Sequence, residues 1–225
     1  VKLPVPGRFV IATGNVDKAR EINEVLAAVL DEPLAAWAVE FDGALVGFVV
    51  QDPTAPFDPP VLARAPDVEE TGATLEENAR IKARGVEAAT GLPAIADDTG
   101  LVVDALGGAP GVFSARYAGP DAVAADNVAK LLRELDGVPD ERRTARFRTV
   151  VLAAWPDGRE LVVEGSVEGV IVREPRGTGG FGYDPVFVPA EGDGRTFAEM
   201  TAEDKHALSH RGRAVRALAL ALRDA

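Results

Sequence analysis

Asp97 and Asp98 close the apolar run Leu92-Pro93-Ala94-Ile95-Ala96 and stand directly before Thr99-Gly100 and a second apolar run, Leu101-Val102-Val103. Charge is costly there: a strand this apolar is buried, and a buried carboxylate needs a partner, a proton or a metal ion to offset its lost hydration. Neighbouring side chains of an extended chain point to opposite faces, so the two carboxylates cannot share one ligand without a bend, and one of them faces a site. Asp before Thr-Gly is also good turn chemistry, which leaves a pair of turn caps as the competing reading.

Other residues could serve the same chemistry. Thr13-Gly14-Asn15-Val16-Asp17-Lys18 joins the strand Phe9-Val10-Ile11-Ala12 to a helix start, where free backbone amides and the positive end of the helix dipole favour an anion such as phosphate. Lys18 falls in the first helical turn, where a cation calls for a compensating anion. The segment is not a Walker loop, which has four residues between its glycines and then Lys-Ser or Lys-Thr. Glu69 and Glu70, before Thr71-Gly72, offer oxygen ligands to a hard cation such as magnesium. Asn78 and Lys82 share one helix face beside the Leu75, Ala79 and Val86 stripe, and that helix runs straight into the Asp97-Asp98 strand.

Gly177-Thr178-Gly179-Gly180-Phe181-Gly182 formally matches the dinucleotide fingerprint, but that fingerprint opens a helix, whereas here Tyr183-Asp184-Pro185 leads into the strand-like Val186-Phe187-Val188. What survives is a backbone able to approach a ligand closely, with Phe181 and Tyr183 able to stack on a flat ring. Lys205, His210 and Arg211 gather around two consecutive helix starts in an otherwise acidic chain. With two histidines in all, a zinc triad is not expected. For each group the bland alternative is a solvated or salt-bridged surface, or a core residue.

The elements that must position these groups follow from periodicity. A helix carries Ile22, Val25, Leu26, Val29 and Leu30 on one face, and Trp37, Val39 and Phe41 alternate before Asp42-Gly43, which predicts a hairpin ending near Val50. A Pro-rich loop covers Asp52 to Pro60. Thr74-Leu75-Glu76-Glu77 is a capping box, so a helix runs from Leu75 to about Thr90 with Gly91 beyond its end. A third helix spans roughly 122–135, strands are expected at 147–154, 160–164, 170–172 and 186–188, and a last helix starts near Ser209. Strands and helices intermix without repeats, which predicts an α/β architecture with a mixed sheet.

Composition narrows the function. The 225 residues are 47% hydrophobic and 27% charged, enough for a sizeable core, and a formal charge of -12 argues against a nucleic-acid polymer or an anionic membrane as partner. There is no cysteine and no apolar stretch of membrane length, as in a cytoplasmic protein.

Seven ordered blocks together resemble the inosine triphosphatase family, and its bacterial members most closely. They are Thr13 to Lys18, Glu69 to Gly72, Glu77 to Ala79 with Lys82-Ala83, Ile95 to Leu101, Val103 to Gly111 with Ser114 to Tyr117, Gly177 to Pro185, and Ser209 to Gly212. The resemblance covers the chain from Phe9 to the last helix. It implies an elongated α/β fold, a mixed central sheet with flanking helices forming two lobes around a substrate cleft, as a single domain over 1–225 that forms a homodimer. It implies magnesium-dependent hydrolysis of deaminated purine nucleotides (ITP, dITP and XTP) to monophosphate and pyrophosphate. Carried over by position, Thr13, Gly14, Asn15, Val16, Asp17 and Lys18 would hold the triphosphate. Asp98 would act on water and bind metal together with Glu69 or Glu70, and Lys82 would lie near the phosphates. Thr99, Phe181, Gly182, Tyr183, Asp184, Lys205, His210 and Arg211 would contact substrate, mainly the nucleoside. Two departures stand out: Thr99 replaces the Ser of many relatives, and residues 31–60 read as a family-atypical insertion on the order of twenty residues, longer than ordinary connections. A pyrophosphatase for other modified nucleotides and a non-catalytic nucleotide sensor are the competing readings. An aspartyl-phosphate phosphatase is disfavoured, because its Asp-x-Asp place after the first strand holds Thr13-Gly14-Asn15.

Overall fold

A computed structural model describes residues 8–31, 34–41, 44–56 and 69–224. In chain order the elements are β1 (Arg8–Ile11), α1 (Val16–Leu30), β2 (Ala35–Phe41), β3 (Ala44–Gln51), α2 (Leu75–Thr90), β4 (Ala94–Val103), β5 (Pro110–Gly111), α3 (Ala124–Glu134), β6 (Thr144–Ala154), β7 (Glu160–Ile171), β8 (Phe187–Pro189), α4 (Ala202–Leu208) and α5 (His210–Asp224). The described strands join in one open sheet in the order β2-β3-β1-β4-β6-β7-β8, with β5 paired to β4. β1 runs parallel to β4 and antiparallel to β3, so the sheet is mixed.

The chain forms two compact units, residues 1–98, 150–164 and 214–225 in the first and residues 99–149 and 165–213 in the second. In the first unit β1 and the stretches 94–98 of β4 and 150–154 of β6 are buried on both faces, which is why they read as continuous apolar runs. Phe9, Ile11, Ile95, Val151 and Ala153 turn one way and pack with Ile22 and Leu26 of α1 and Val215 and Leu218 of α5. Val10, Val49, Ala94, Ala96 and Leu152 turn the other way and pack with Ala79, Ala83 and Val86 of α2. The second unit has one core, in which Leu101, Val103, Ala145, Phe147 and Val167 meet Val128, Leu131 and Leu135.

Helix α2 keeps the predicted limits. Thr74 and Glu77 complete the capping box, and Gly91 ends the helix at φ +67, a left-handed conformation that glycine adopts without penalty. The predicted hairpin is β2–β3, antiparallel from Ala35↔Gln51 to Phe41↔Ala44. Its turn at Asp42-Gly43 and the Pro-rich residues 57–60 lie outside the described residues.

A competing reading falls and a sequence expectation changes. Asp97 and Asp98 do not cap a turn: β4 is one ten-residue strand that passes through them and through Thr99-Gly100. The place of β4 within the sheet, with β6 as a neighbour, outweighs the local turn preference of Asp-Asp-Thr-Gly. The strands expected at 160–164 and 170–172 are likewise one, β7. The intervening Gly165-Ser166-Val167-Glu168-Gly169 hid it, although Gly169 serves the pairing: a Cβ there would lie very close to the Val188 carbonyl oxygen. Among the described residues no helix is long and apolar enough to cross a membrane.

Candidate functional site

The first unit places a strand, a turn and a helix start beside the two aspartates. Parallel pairing sets Ile11 against Ile95, and the Ala12 amide donates to the Ile95 carbonyl at 2.7 Å, so the turn after β1 lies next to the stretch of β4 that carries Asp97 and Asp98. Ligands of open α/β sheets bind past the carboxyl ends of such strands. Thr13 Oγ1 accepts from the Asn15 amide and Asn15 Oδ1 from the Lys18 amide, both at 3.1 Å, so Asn15 caps α1. Gly14 and Val16 are exposed. The side chain of Asp17 lies outside the described residues.

Strand alternation splits the aspartates between the two faces. Asp97 follows Ile95 toward α1, where Lys18 Nζ stands 3.3 Å from its Oδ2. The anion that Lys18 calls for is therefore supplied from within the chain. Asp98 follows Ala94 and Ala96 toward α2, where Lys82 Nζ is 3.2 Å from Oδ1 and Asn78 Nδ2 donates to Oδ2 at 3.1 Å. The same Lys82 Nζ meets Glu70 Oε1 at 3.0 Å. Glu69 is exposed, and its carbonyl accepts from the Thr71 amide. Burial pushes the Asp98 carboxyl above the ordinary aspartate value; Lys82 and Asn78 oppose the rise and Glu70 adds to it. Burial alone would lower Lys82, but the charges of Asp97, Asp98 and Glu70 outweigh it and hold the ammonium charged. The cluster gathers more carboxylate than lysine charge, and magnesium, which uses one or two carboxylates and keeps waters and phosphates as its other ligands, suits such oxygen donors.

The second unit holds the remaining candidates. Phe181 is 36% exposed, with Lys205 Nζ 4.6 Å and the Arg211 guanidinium carbon 5.3 Å from its ring centroid. Asp184 is buried and accepts from Lys205 Nζ and from the Phe181 amide, both at 2.7 Å. Gly180, at φ +68, permits this closure, since a Cβ there would lie 2.1 Å from Asp184 Oδ2. Gly182 is also left-handed, at φ +63. His210 is buried and stacks on Phe147 with centroids 4.5 Å apart, and Arg211 is 1% exposed, its Nη2 donating to Thr99 Oγ1 at 3.4 Å.

Two expectations about this region are corrected. Tyr183 is no stacking surface: it is 4% exposed within the core, its hydroxyl donates to the Ser114 carbonyl at 2.9 Å, and burial pushes its phenol well above the ordinary value. Gly177 opens the backbone to its own chain, because a Cβ there would lie 2.4 Å from the Ala198 carbonyl. Sequence reasoning singles out Asn78 only as the neighbour of Lys82 on one helix face, without a role of its own, and it misses Thr149. Asn78 is fully buried, and a polar residue within the inward stripe of α2 was the available signal. Thr149, also fully buried, has its hydroxyl 2.6 Å from that of Thr99, and it interrupts the apolar residues of β6.

The sheet order and these clusters define the class: an open-sheet α/β protein with carboxylate and lysine groups gathered beside the turn that follows β1. The chain belongs to the Ham1 family, whose model matches residues 9–221. It is 48% identical over 220 residues to a protein of Shigella flexneri named dITP/XTP pyrophosphatase, with 96% of this chain and 98% of that one covered. A Streptomyces coelicolor protein of the same name is 45% identical over 217 residues, with the same coverage. The structure of a HAM1 protein from Coxiella burnetii aligns with a TM-score of 0.74 at 37% identity, covering 96% of this chain and 98% of that one.

Proposed function

We propose that this protein is a magnesium-dependent nucleoside triphosphate pyrophosphatase. It hydrolyses the deaminated purine nucleotides ITP, dITP and XTP to the monophosphate and pyrophosphate, and it acts as a cytoplasmic homodimer on the free nucleotide pool. The observation that carries the reading is the Asp98–Lys82–Glu70 cluster, built on the buried Asp98, beside the capped start of α1. The names of its relatives give the substrate class.

Asp98 and Glu70 would hold the ion, with Glu69 at the exposed end of the same loop, and bound magnesium would neutralise charge on the phosphate oxygens. The chain's own residues do the rest. The exposed turn at Gly14 to Val16 and the Lys18 ammonium receive the triphosphate at the positive end of α1. Lys82 donates to phosphate oxygens as the bond between the α- and β-phosphates breaks. Asp98 orients the attacking water and takes its proton. In the second unit, Phe181 offers a ring face to the base, and Lys205 and Arg211 are donors only. They match a 6-keto oxygen and mismatch the 6-amino group of adenine.

A steady-state panel of nucleoside triphosphates, run with and without magnesium and resolving pyrophosphate from phosphate, tests the reading. Pyrophosphate release from ITP, dITP and XTP above that from ATP is expected. Release of phosphate alone, or turnover indifferent to magnesium, refutes it.

A further inference from the structure

We propose that Asn78 is a positioning residue that fixes the acidic loop 69–72 and the Asp98 carboxylate with respect to each other. The proposal rests on the reading above, in which Asp98 and Glu70 serve metal and water. Asn78 is fully buried; its Oδ1 accepts from the Gly72 amide at 2.8 Å, and its Nδ2 donates to Asp98 Oδ2 at 3.1 Å. A backbone N–H can only donate, so the carbonyl end of the side-chain amide must face Gly72 and the NH₂ end must face Asp98. The amide cannot flip without breaking both bonds. Asp98 is thereby held at each oxygen, Oδ2 by Asn78 and Oδ1 by Lys82.

The loop is shaped to fit this contact. A Cβ on Gly72 would lie 2.7 Å from Asn78 Oδ1 and 2.7 Å from Glu77 Cβ, so glycine is what brings the backbone donor so close. The next two amides continue the seating: Ala73 and Thr74 donate to Glu77 Oε2 at 2.6 and 3.1 Å. Three consecutive amides are thus bound by side chains in the first turn of α2. Two residues upstream of Gly72, Glu70 meets Lys82, the same lysine that meets Asp98. A hard cation with few protein ligands relies on the groups behind those ligands for its geometry; Lys82 joins the loop's carboxylate to Asp98, and Asn78 joins the loop's backbone to it.

The test uses the full chain with Asn78→Ala and Asn78→Asp. The readouts are the folded fraction, Gly72 amide hydrogen exchange, Mn²⁺ binding by electron paramagnetic resonance without nucleotide, and kcat and KM for ITP. For Asn78→Ala, kcat and Mn²⁺ affinity should each fall roughly 10–100-fold, with KM moving less than about threefold and the Gly72 amide exchanging faster. Asn78→Asp keeps an acceptor for Gly72 but turns a carboxylate toward Asp98, so it should keep the Gly72 amide protected while kcat falls. Folded Asn78→Ala with kcat and Mn²⁺ affinity within about twofold of the parent overturns the proposal. So does an activity loss that only tracks the unfolded fraction, or an Asn78→Asp variant as active as the parent. Absence of pyrophosphate release by the parent chain would sink the functional reading instead; the exchange and Mn²⁺ measurements would still decide whether Asn78 positions the loop and the aspartate.

Discussion

In the first unit the clustered charges are mainly carboxylates, Asp97, Asp98 and Glu70 set against Lys18 and Lys82. In the second they are mainly cations, Lys205 and Arg211 beside Asp184, set among the rings of Phe181 and Phe197. The means of positioning differ as well. The first cluster hangs from a strand, from the first turn of α1 and from the face of α2 through hydrogen bonds and ion pairs, whereas the second is built from glycine turns and aromatic faces. An excess of carboxylate suits a divalent cation and its phosphates, and an excess of donors over a ring suits a flat group edged with acceptors. Charge in the first region should therefore serve rate, and charge in the second should serve the fold and the hold on the base.

The sharpest way to break that contrast is Asp98→Asn. Loss of the carboxylate proposed to activate water should lower kcat roughly 10²–10⁴-fold with nucleotide binding kept, measured by turnover and by equilibrium titration. Its stability should not fall. The folded chain binds the Asp98 proton more tightly than the unfolded chain does, so ionisation costs stability as pH rises above the ordinary value of 3.8, and an amide escapes that cost. A kcat near that of the parent would remove Asp98 from the mechanism.

Lys205→Met probes the other region. It strands the buried carboxylate of Asp184 without its ion partner and should cost about 3 kcal/mol in urea unfolding. A loss confined to KM, with unchanged stability, would refute the fold-serving role. Phe181→Ala removes an exposed ring face and should raise KM for ITP by a factor equivalent to roughly 1–2 kcal/mol of stacking, with kcat little changed. Equal losses in kcat and kcat/KM would place Phe181 in the chemical step instead.

The smallest effect belongs to Glu160→Gln, outside both clusters. Glu160 accepts from Arg80 at 2.9 Å and Arg84 at 3.0 Å, and Arg84 also donates to the carbonyls of Trp155, Gly158 and Arg159. Burial would raise the Glu160 carboxyl, but the two guanidinium groups outweigh it and hold the carboxyl below the ordinary value of 4.5. The unfolded chain then binds its proton more tightly, so the contribution is full above that value and is lost as pH falls through the folded value. Glu160→Gln should cost about 1 kcal/mol at pH 7, with the gap to the parent closing below about pH 4. A gap independent of pH would exclude the ion pairs as its cause.

Local chemistry was legible wherever one element decided it. The capping box of α2, the β2–β3 alternation and the rejection of the dinucleotide fingerprint at 177–182 each follow from residues within a few positions of one another, and 177–182 indeed leads through a short helical turn into β8. The missed features depend on distant partners. β4 stays extended through Asp-Asp-Thr-Gly because of strands remote in sequence, and Tyr183 turns inward because its hydroxyl meets the Ser114 carbonyl 69 residues away.

The sequence by itself determined the element types, the excess of acid, the placement of Lys18 in a first turn, and the rule that Asp97 and Asp98 face opposite ways. Propensity, charge and strand period are local properties, so no folded neighbour is needed to read them. Only the tertiary structure decided that Asp97 turns to Lys18 and Asp98 to Lys82, that Glu70 joins the latter, and that Asn78 ties the loop to the aspartate. Which partner relieves a buried charge depends on which helix covers each sheet face, and that is settled when the two cores of the first unit pack.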